Sequence, residues 1–256
     1  MPAAPSACRS FRSASRSKWM RSSRLRADPL DPGRQGFAHR GLHRWPEIPE
    51  NTLTAFAAAL ELGAGIECDL RLTADHRIAV YHDADGKRLS GRDDRLIDCT
   101  SADLSQWDVA GKPVPLIEQL LWLVDGRVPL LLEAKVEGSE LWNMLAALRH
   151  AVANYRGRFG IMSFDPRVSR WLKTNEPGWQ RGLVIQDALP PMKRWAALRL
   201  ADPTFASVQV AALGKPWVAK LRKRMPIHSW TSRTRDDADK VRAFADAAIW
   251  EADGRP

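Results

Sequence analysis

The sequence is short of cysteine, tyrosine, acidic charge and long apolar runs. Its three cysteines (Cys8, Cys68 and Cys99) show neither paired nor metal-type spacing. That excludes a disulfide framework and a thiolate zinc site, and it points to reduced thiols and a cytoplasmic setting. The nearest approach to a long apolar run, residues 116–132, is broken by Glu118, Asp125 and Arg127. Stable membrane insertion is therefore not expected. Lys and Arg outnumber Asp and Glu by 39 to 30, giving a net charge of +9. Residues 1–34 hold eight of those cations and only two Asp, so the other 222 residues carry just +3. A nucleic-acid partner would need the excess spread over a folded face, so none is expected.

Residues 1–34 are rich in Arg, Ser and Ala and lack apolar periodicity. Such a segment buries too little surface to offset its ordering entropy, and a disordered, dispensable extension is the expectation. An organelle transit peptide, or translation upstream of a later start at Met20, would share the composition. Residues 35–256 are long enough for one large core and contain no evident linker or repeat.

Within that domain, short apolar runs alternate with helical patterns, the rhythm of an α/β fold with a parallel sheet. The first strand is GFAHRG (36–41). Leu53, Phe56, Ala57 and Leu60 then recur at helical spacing, with Asn51 or Thr52 as cap and Gly63 as stop. The second strand is AGIECDLRL (64–72). IAVYHD (78–83) follows after only five residues, too few for a parallel crossover, so it must be an antiparallel hairpin partner. Six more strands are expected at 128–135, 159–164, 181–186, 205–210, 226–231 and 247–251, with helical segments between them. Eight parallel strands alternating with helices close into a TIM (β/α)8 barrel. The chain stops five residues after the last strand, leaving no full final helix.

Residues two apart in a strand share a face. Glu67, Asp69 and Arg71 therefore face one way, and Ile66, Cys68, Leu70 and Leu72 face the helices. Two carboxylates about 7 Å apart repel by roughly 2 kcal/mol at an effective dielectric near 20. Glu133 and Lys135 alternate with Leu132 and Ala134 in the same way. Glu67, Asp69 and Glu133 would make an all-oxygen site for a hard cation, Mg²⁺ or Ca²⁺. The competing arrangement is a carboxylate network neutralised by Arg71 and Lys135. His39 and His82 each end a short apolar run beside this cluster, where two histidines can serve as general acid and base. Arg40 and Lys135 supply positive charge for a phosphate.

The stretch AHRGLHRWPEIPENTLTAF resembles the opening signature of the glycerophosphodiester phosphodiesterase family. GAGIECDLRLTADHRIAVYHD and LLLEAK are similar to its next two blocks, and SF (163–164) and WT (230–231) to weaker later ones. The resemblance implies a TIM barrel that hydrolyses glycerophosphodiesters to glycerol 3-phosphate and an alcohol. It implies Glu67, Asp69 and Glu133 as metal ligands, His39 and His82 as the catalytic pair, and Arg40 and Lys135 as phosphate contacts. Trp230 would line the pocket. The last strand departs from the family's Thr-Asp pair: it reads AIWEADGRP, with Trp250 and Glu251 in those places. His43, His76, His150 and His228 match no motif and are expected on the surface or in the core. Two rival functions stand beside this one. One is a phospholipase D-like hydrolysis of lysophospholipids on the same barrel, and the other a non-catalytic binder of an anionic ligand.

Overall fold

A computed structural model describes residues 28–256. The expectation of a disordered tail lies, for residues 1–27, outside the described residues. Residues 28–34 depart from it. Leu30 is only 1% exposed, packed into the barrel floor, and Asp28 Oδ2 lies 2.7 Å from Nε2 of the fully buried His228. Leu30, the Asp28–His228 contact and an Arg158 Nη1 donation to Asp31 O at 3.0 Å hold this piece, and none leaves a periodic trace.

Eight parallel strands form a closed barrel. In spatial order they are β1 (Phe37–Ala38), β2 (Gly65–Leu72), β6 (Leu130–Ala134), β7 (Phe159–Ser163), β8 (Gln180–Ile185), β9 (Phe205–Gln209), β10 (Ile227–Ser232) and β11 (Ala247–Trp250). Closure is direct, because Phe37 and Ala38 register with Gly65 and Ile66 on one side and with Ile249 and Trp250 on the other. Strand β3 (Ile78–Val80) lies antiparallel on β2, with Leu70 opposite Val80, as the five-residue link requires. Helices α1 (Leu53–Leu62), α4 (Ile117–Val124), α5 (Leu141–Val152), α6 (Pro166–Asn175), α7 (Pro191–Ala201), α8 (Pro216–Arg222) and α9 (Arg235–Phe244) make the crossovers. A 3-10 turn, Ala252–Gly254, follows β11.

Between β3 and α4 sits a small cap made of α2 (Lys87–Ser90), α3 (Ser101–Leu104) and the hairpin β4 (Asp108–Val109)–β5 (Lys112–Pro113). It has its own core of Tyr81, Leu89, Leu96, Leu104 and Trp107.

The strands alternate as expected. Ile66, Cys68, Leu70, Leu130 and Leu132 pack outward against the helices. Phe37, Leu131, Met162, Val184, Phe205 and Ile249 fill the interior, with Leu30 below them. His228 stacks between Phe37 and Phe205, at centroid distances of 5.4 and 4.9 Å. The floor is tight: a Cβ on Gly182 would sit 2.4 Å from the Phe205 ring. Apolar packing thus takes the lower barrel and leaves the polar residues to its C-terminal mouth, where barrel enzymes carry their sites.

Candidate active site

The mouth is built from backbone geometry outward. His39 follows β1, and its N–H bonds to Trp250 O at 2.9 Å. Arg40 then turns into the left-handed region (φ 56°), which an ordinary side chain adopts only when its surroundings hold it there. They do. Its N–H donates to Glu67 Oε2 at 3.1 Å, and its carbonyl accepts from Asn51 N at 2.9 Å. Gly41 (φ 80°) packs so closely on α1 that a Cβ would lie 2.8 Å from Ala55 backbone.

The PENT segment holds the site from outside. Thr52 is the α1 cap, accepting from Ala55 N. Asn51 Nδ2 donates to Asp69 Oδ2 at 2.9 Å. Glu50 Oε1 accepts from Arg40 Nη1 at 2.6 Å.

Glu67, Asp69 and Glu133 converge as expected, each offering a carboxylate oxygen within 4.8 Å of the others. Asp69 and Glu133 stand opposite each other across the β2–β6 pair. Lys135 Nζ reaches Asp69 Oδ1 at 3.0 Å and also bonds Glu133. The Arg40 Nε lies 3.2 Å from Asp69 Oδ2. The charge network and the ligand cluster are therefore one object, with Arg40 in the place the sequence reading gave to Arg71. Arg71 points elsewhere: its Nε donates to the His82 carbonyl at 2.8 Å and its Nη1 pairs with Glu137.

Burial and crowding separate the three carboxyls. Burial pushes Glu67 well above the ordinary range, and the charges of Asp69 and Glu133 add to that. Burial also raises Glu133, against the pull of Lys135. Asp69 feels the same burial, but Lys135 and Arg40 outweigh it and hold it ionised. Lys135 and Arg40 stay charged, because their carboxylate partners outweigh burial. Three hard oxygens in a pocket that resists the third negative charge fit a divalent cation.

The two histidines flank this cluster in matching ways. His39 Nδ1 lies 2.7 Å from Glu251 Oε2, and its Nε2 lies 4.0 Å from Glu67 Oε2. His82 Nδ1 lies 2.7 Å from Asp83 Oδ1, and Asp83 Oδ2 accepts from Arg88 Nε at 2.6 Å. Burial lowers both histidines below their ordinary value, against the pull of the neighbouring carboxylates. Arg88 also grips Glu50 through Nη1 and Nη2, at 3.0 and 2.7 Å, tying the His82 side to the Arg40 side.

Trp230 is part of the wall but faces inward: its Nε1 donates to Ser207 O at 3.1 Å. It backs Phe164, edge to face at 5.6 Å, and Phe164 is the exposed ring. Lys135 Nζ lies 5.7 Å from the Phe164 centroid.

The sequence reading missed Glu50, Asn51, Asp83, Arg88, Phe164 and Glu251 as site residues. PENT and SF were visible as motifs, and Asp83 as the neighbour of His82. Glu251 was visible as a departure from the family's Thr-Asp pair, but nothing local ties it to His39. Among the unmatched histidines, His76 and His150 are exposed and His228 is core, whereas His43 Nε2 comes within 3.5 Å of Glu251 Oε2. His39, His43 and Glu251 form a second cluster of potential ligand atoms. The Arg233 guanidinium, 2.5 Å from Glu251 Oε1, makes it a poor cation site.

A closed β/α barrel with its titratable residues gathered at the C-terminal mouth is the architecture of a barrel enzyme. The sequence profile of the glycerophosphoryl diester phosphodiesterase family matches residues 39–249, and the chain belongs to that family of phosphodiesterases. It is 36% identical over 112 residues to a glycerophosphodiester phosphodiesterase of Bacillus altitudinis, an alignment covering 40% of this chain and 45% of that protein. It is 26% identical over 230 residues to one from Caldanaerobacter subterraneus subsp. tengcongensis, covering 83% of this chain and 92% of the relative. The fold matches that of an Oleispira antarctica phosphodiesterase solved with its product sn-glycerol-3-phosphate. There the TM-score is 0.76 at 19% identity, over 85% of this chain and 92% of that one. Among the described residues, no helix is long and apolar enough to cross a membrane.

Proposed function

We propose that this chain hydrolyses small glycerophosphodiesters to glycerol 3-phosphate and an alcohol. A divalent cation, Mg²⁺ or Ca²⁺, would be held by Glu67, Asp69 and Glu133. The observation that carries the reading is the convergence of three buried carboxylates, two carboxylate-held histidines and two paired cations at one mouth. When bound, the cation supplies positive charge to the phosphoryl oxygens.

The chain's own residues do the rest. Arg40 commits Nη1 to Glu50 and keeps Nη2 for a phosphoryl oxygen; Lys135 has three donors and gives two to carboxylates. Charge growing on phosphorus-bound oxygen in the transition state is met by groups already in place. Each histidine has Nδ1 tied to a carboxylate, so Nε2 is the working atom. One Nε2 takes the proton of the attacking hydroxyl as the new P–O bond forms. The other, entering the step as imidazolium with its Nδ1–H kept on its carboxylate, gives its Nε2 proton to the departing alkoxide as the old P–O bond breaks. Phe164, backed by Trp230, gives the carbon skeleton an apolar wall. Buried, free Cys68 and Cys99 suit a reducing compartment, and we place the activity in the cytoplasm.

The test is release of glycerol 3-phosphate from a panel of soluble glycerophosphodiesters, with and without chelator. Turnover is expected with added cation and is expected to vanish with chelator. His39→Ala and His82→Ala are each expected to abolish it. Turnover of lysophospholipid micelles with none of the soluble diesters would replace this reading by the phospholipase D-like one.

A further inference from the structure

The last barrel strand delivers a carboxylate, Glu251, where the family's pattern has a Thr-Asp pair. Glu251 follows β11, 212 residues beyond His39, and reaches it only because β11 closes the barrel on β1. Its backbone is fixed, with its N–H donating to Ser232 O at 3.0 Å. Its side chain is fixed at both oxygens: Oε2 takes His39 Nδ1 at 2.7 Å and Oε1 takes Arg233 Nε at 2.5 Å. His43 Nε2 stands 3.5 Å from Oε2, too far for a well-formed hydrogen bond. The His39 side chain is 11% exposed and its backbone N–H is held by Trp250 O, so water offers little competition for Nδ1.

We propose that Glu251, pinned by Arg233, is a positioning residue for His39. It holds the ring in the tautomer protonated on Nδ1 and so presents a bare Nε2 to the reacting phosphate. The proposal builds on the acid–base reading of His39 and, because a bare Nε2 can only accept, gives it the role of base. The logic is that of the buried carboxylate behind a catalytic histidine, which acts by orientation and tautomer without taking the proton itself. The structure repeats it across the mouth, where Asp83 holds His82 Nδ1 and Arg88 pins Asp83. A plain ion pair would not need one carboxylate to serve a buried imidazole with one oxygen and a guanidinium with the other.

Arg233 makes the test sharp. In Glu251→Gln the amide oxygen is drawn to the guanidinium, so the amide NH₂ faces Nδ1. Nδ1 must then accept, and the ring proton moves to Nε2. The closer isostere should therefore lose at least as much kcat as Glu251→Ala, a ranking that packing alone would reverse. With glycerophosphocholine and saturating divalent cation, Glu251→Ala is expected to lose about 10- to 100-fold in kcat with KM held within about twofold. Nitrogen NMR of ¹⁵N-histidine-labelled protein should report Nδ1-H for His39 in the wild type and Nε2-H in Glu251→Gln.

If His39→Ala is inactive while both Glu251 variants keep wild-type kcat and tautomer, the positioning role is refuted and the acid–base reading survives. If His39→Ala turns over normally, the acid–base reading itself fails. Should Glu251→Ala not fold, the Gln variant alone decides, because it keeps the shape.

Discussion

Lys135 Nζ bridges two carboxylates that stand opposite each other on neighbouring strands, 3.0 Å from Asp69 Oδ1 and bonded to Glu133. Both carboxylates are buried, and Lys135 is only partly exposed. Lys135→Met leaves two facing carboxylates without their shared cation. Breaking a buried ion pair from one side costs about 3–5 kcal/mol. The urea midpoint should fall accordingly, and added Mg²⁺ or Ca²⁺ should recover part of the loss by taking up the same charges.

Glu67 presents the opposite case. It is 1% exposed, beside two other carboxyls, with the Arg40 N–H as a neutral donor. Glu67→Gln removes a buried repulsion, so in chelator the variant should melt no lower than the wild type. Saturating cation should raise the wild-type melting temperature but not that of the variant, since a ligand stabilises only the state that binds it. A cation-induced shift of equal size in both would remove Glu67 from the ligand set.

Arg71 supports His82 through the backbone, its Nε donating to the His82 carbonyl at 2.8 Å. Arg71→Ala should lower kcat about tenfold, by analogy with other supports behind a site. Melting temperature should change little, because the partner Glu137 is solvated. Unchanged turnover would reduce Arg71 to a surface pair.

Asp28 predicts a pH signature far from the site. Burial raises its carboxyl, but His228, the Leu30 N–H and Arg158 together outweigh this and leave it below its ordinary 3.8. A carboxylate depressed in the folded state stabilises above its unfolded value and loses that contribution as pH falls through the folded one. Asp28→Ala should cost about 1–3 kcal/mol at pH 7, because buried His228 Nε2 loses its partner. The gap from wild type should narrow as pH falls below 3.8. A gap independent of pH would mean that the contact matters only for packing.

Most of the barrel was legible because period and spacing are local. Strands of alternating face between helical segments gave the eight-fold count, and a five-residue link was enough to make β3 a hairpin. Glu67, Asp69, Glu133 and Lys135 followed from alternation, since residues two apart must share a face. Glu251 did not, because its meaning depends on first and last strands becoming neighbours. Arg71 misled for a related reason: sharing a face fixes a direction, but the long side chain continues past the carboxylates to His82. Residues 28–34 were hidden by the composition around them, in which one leucine and one aspartate do not alter the average.

The packed floor has a consequence for traffic. Leu30, Phe37, Phe205 and His228 are all buried there, which leaves the barrel a cup with one rim. Whatever enters must leave by the way it came, and both halves of a cleaved molecule must pass the same Phe164 edge and the same small cap. Departure of the first fragment then clears the path for the second, so an accumulating phosphate product would compete directly with the next molecule arriving.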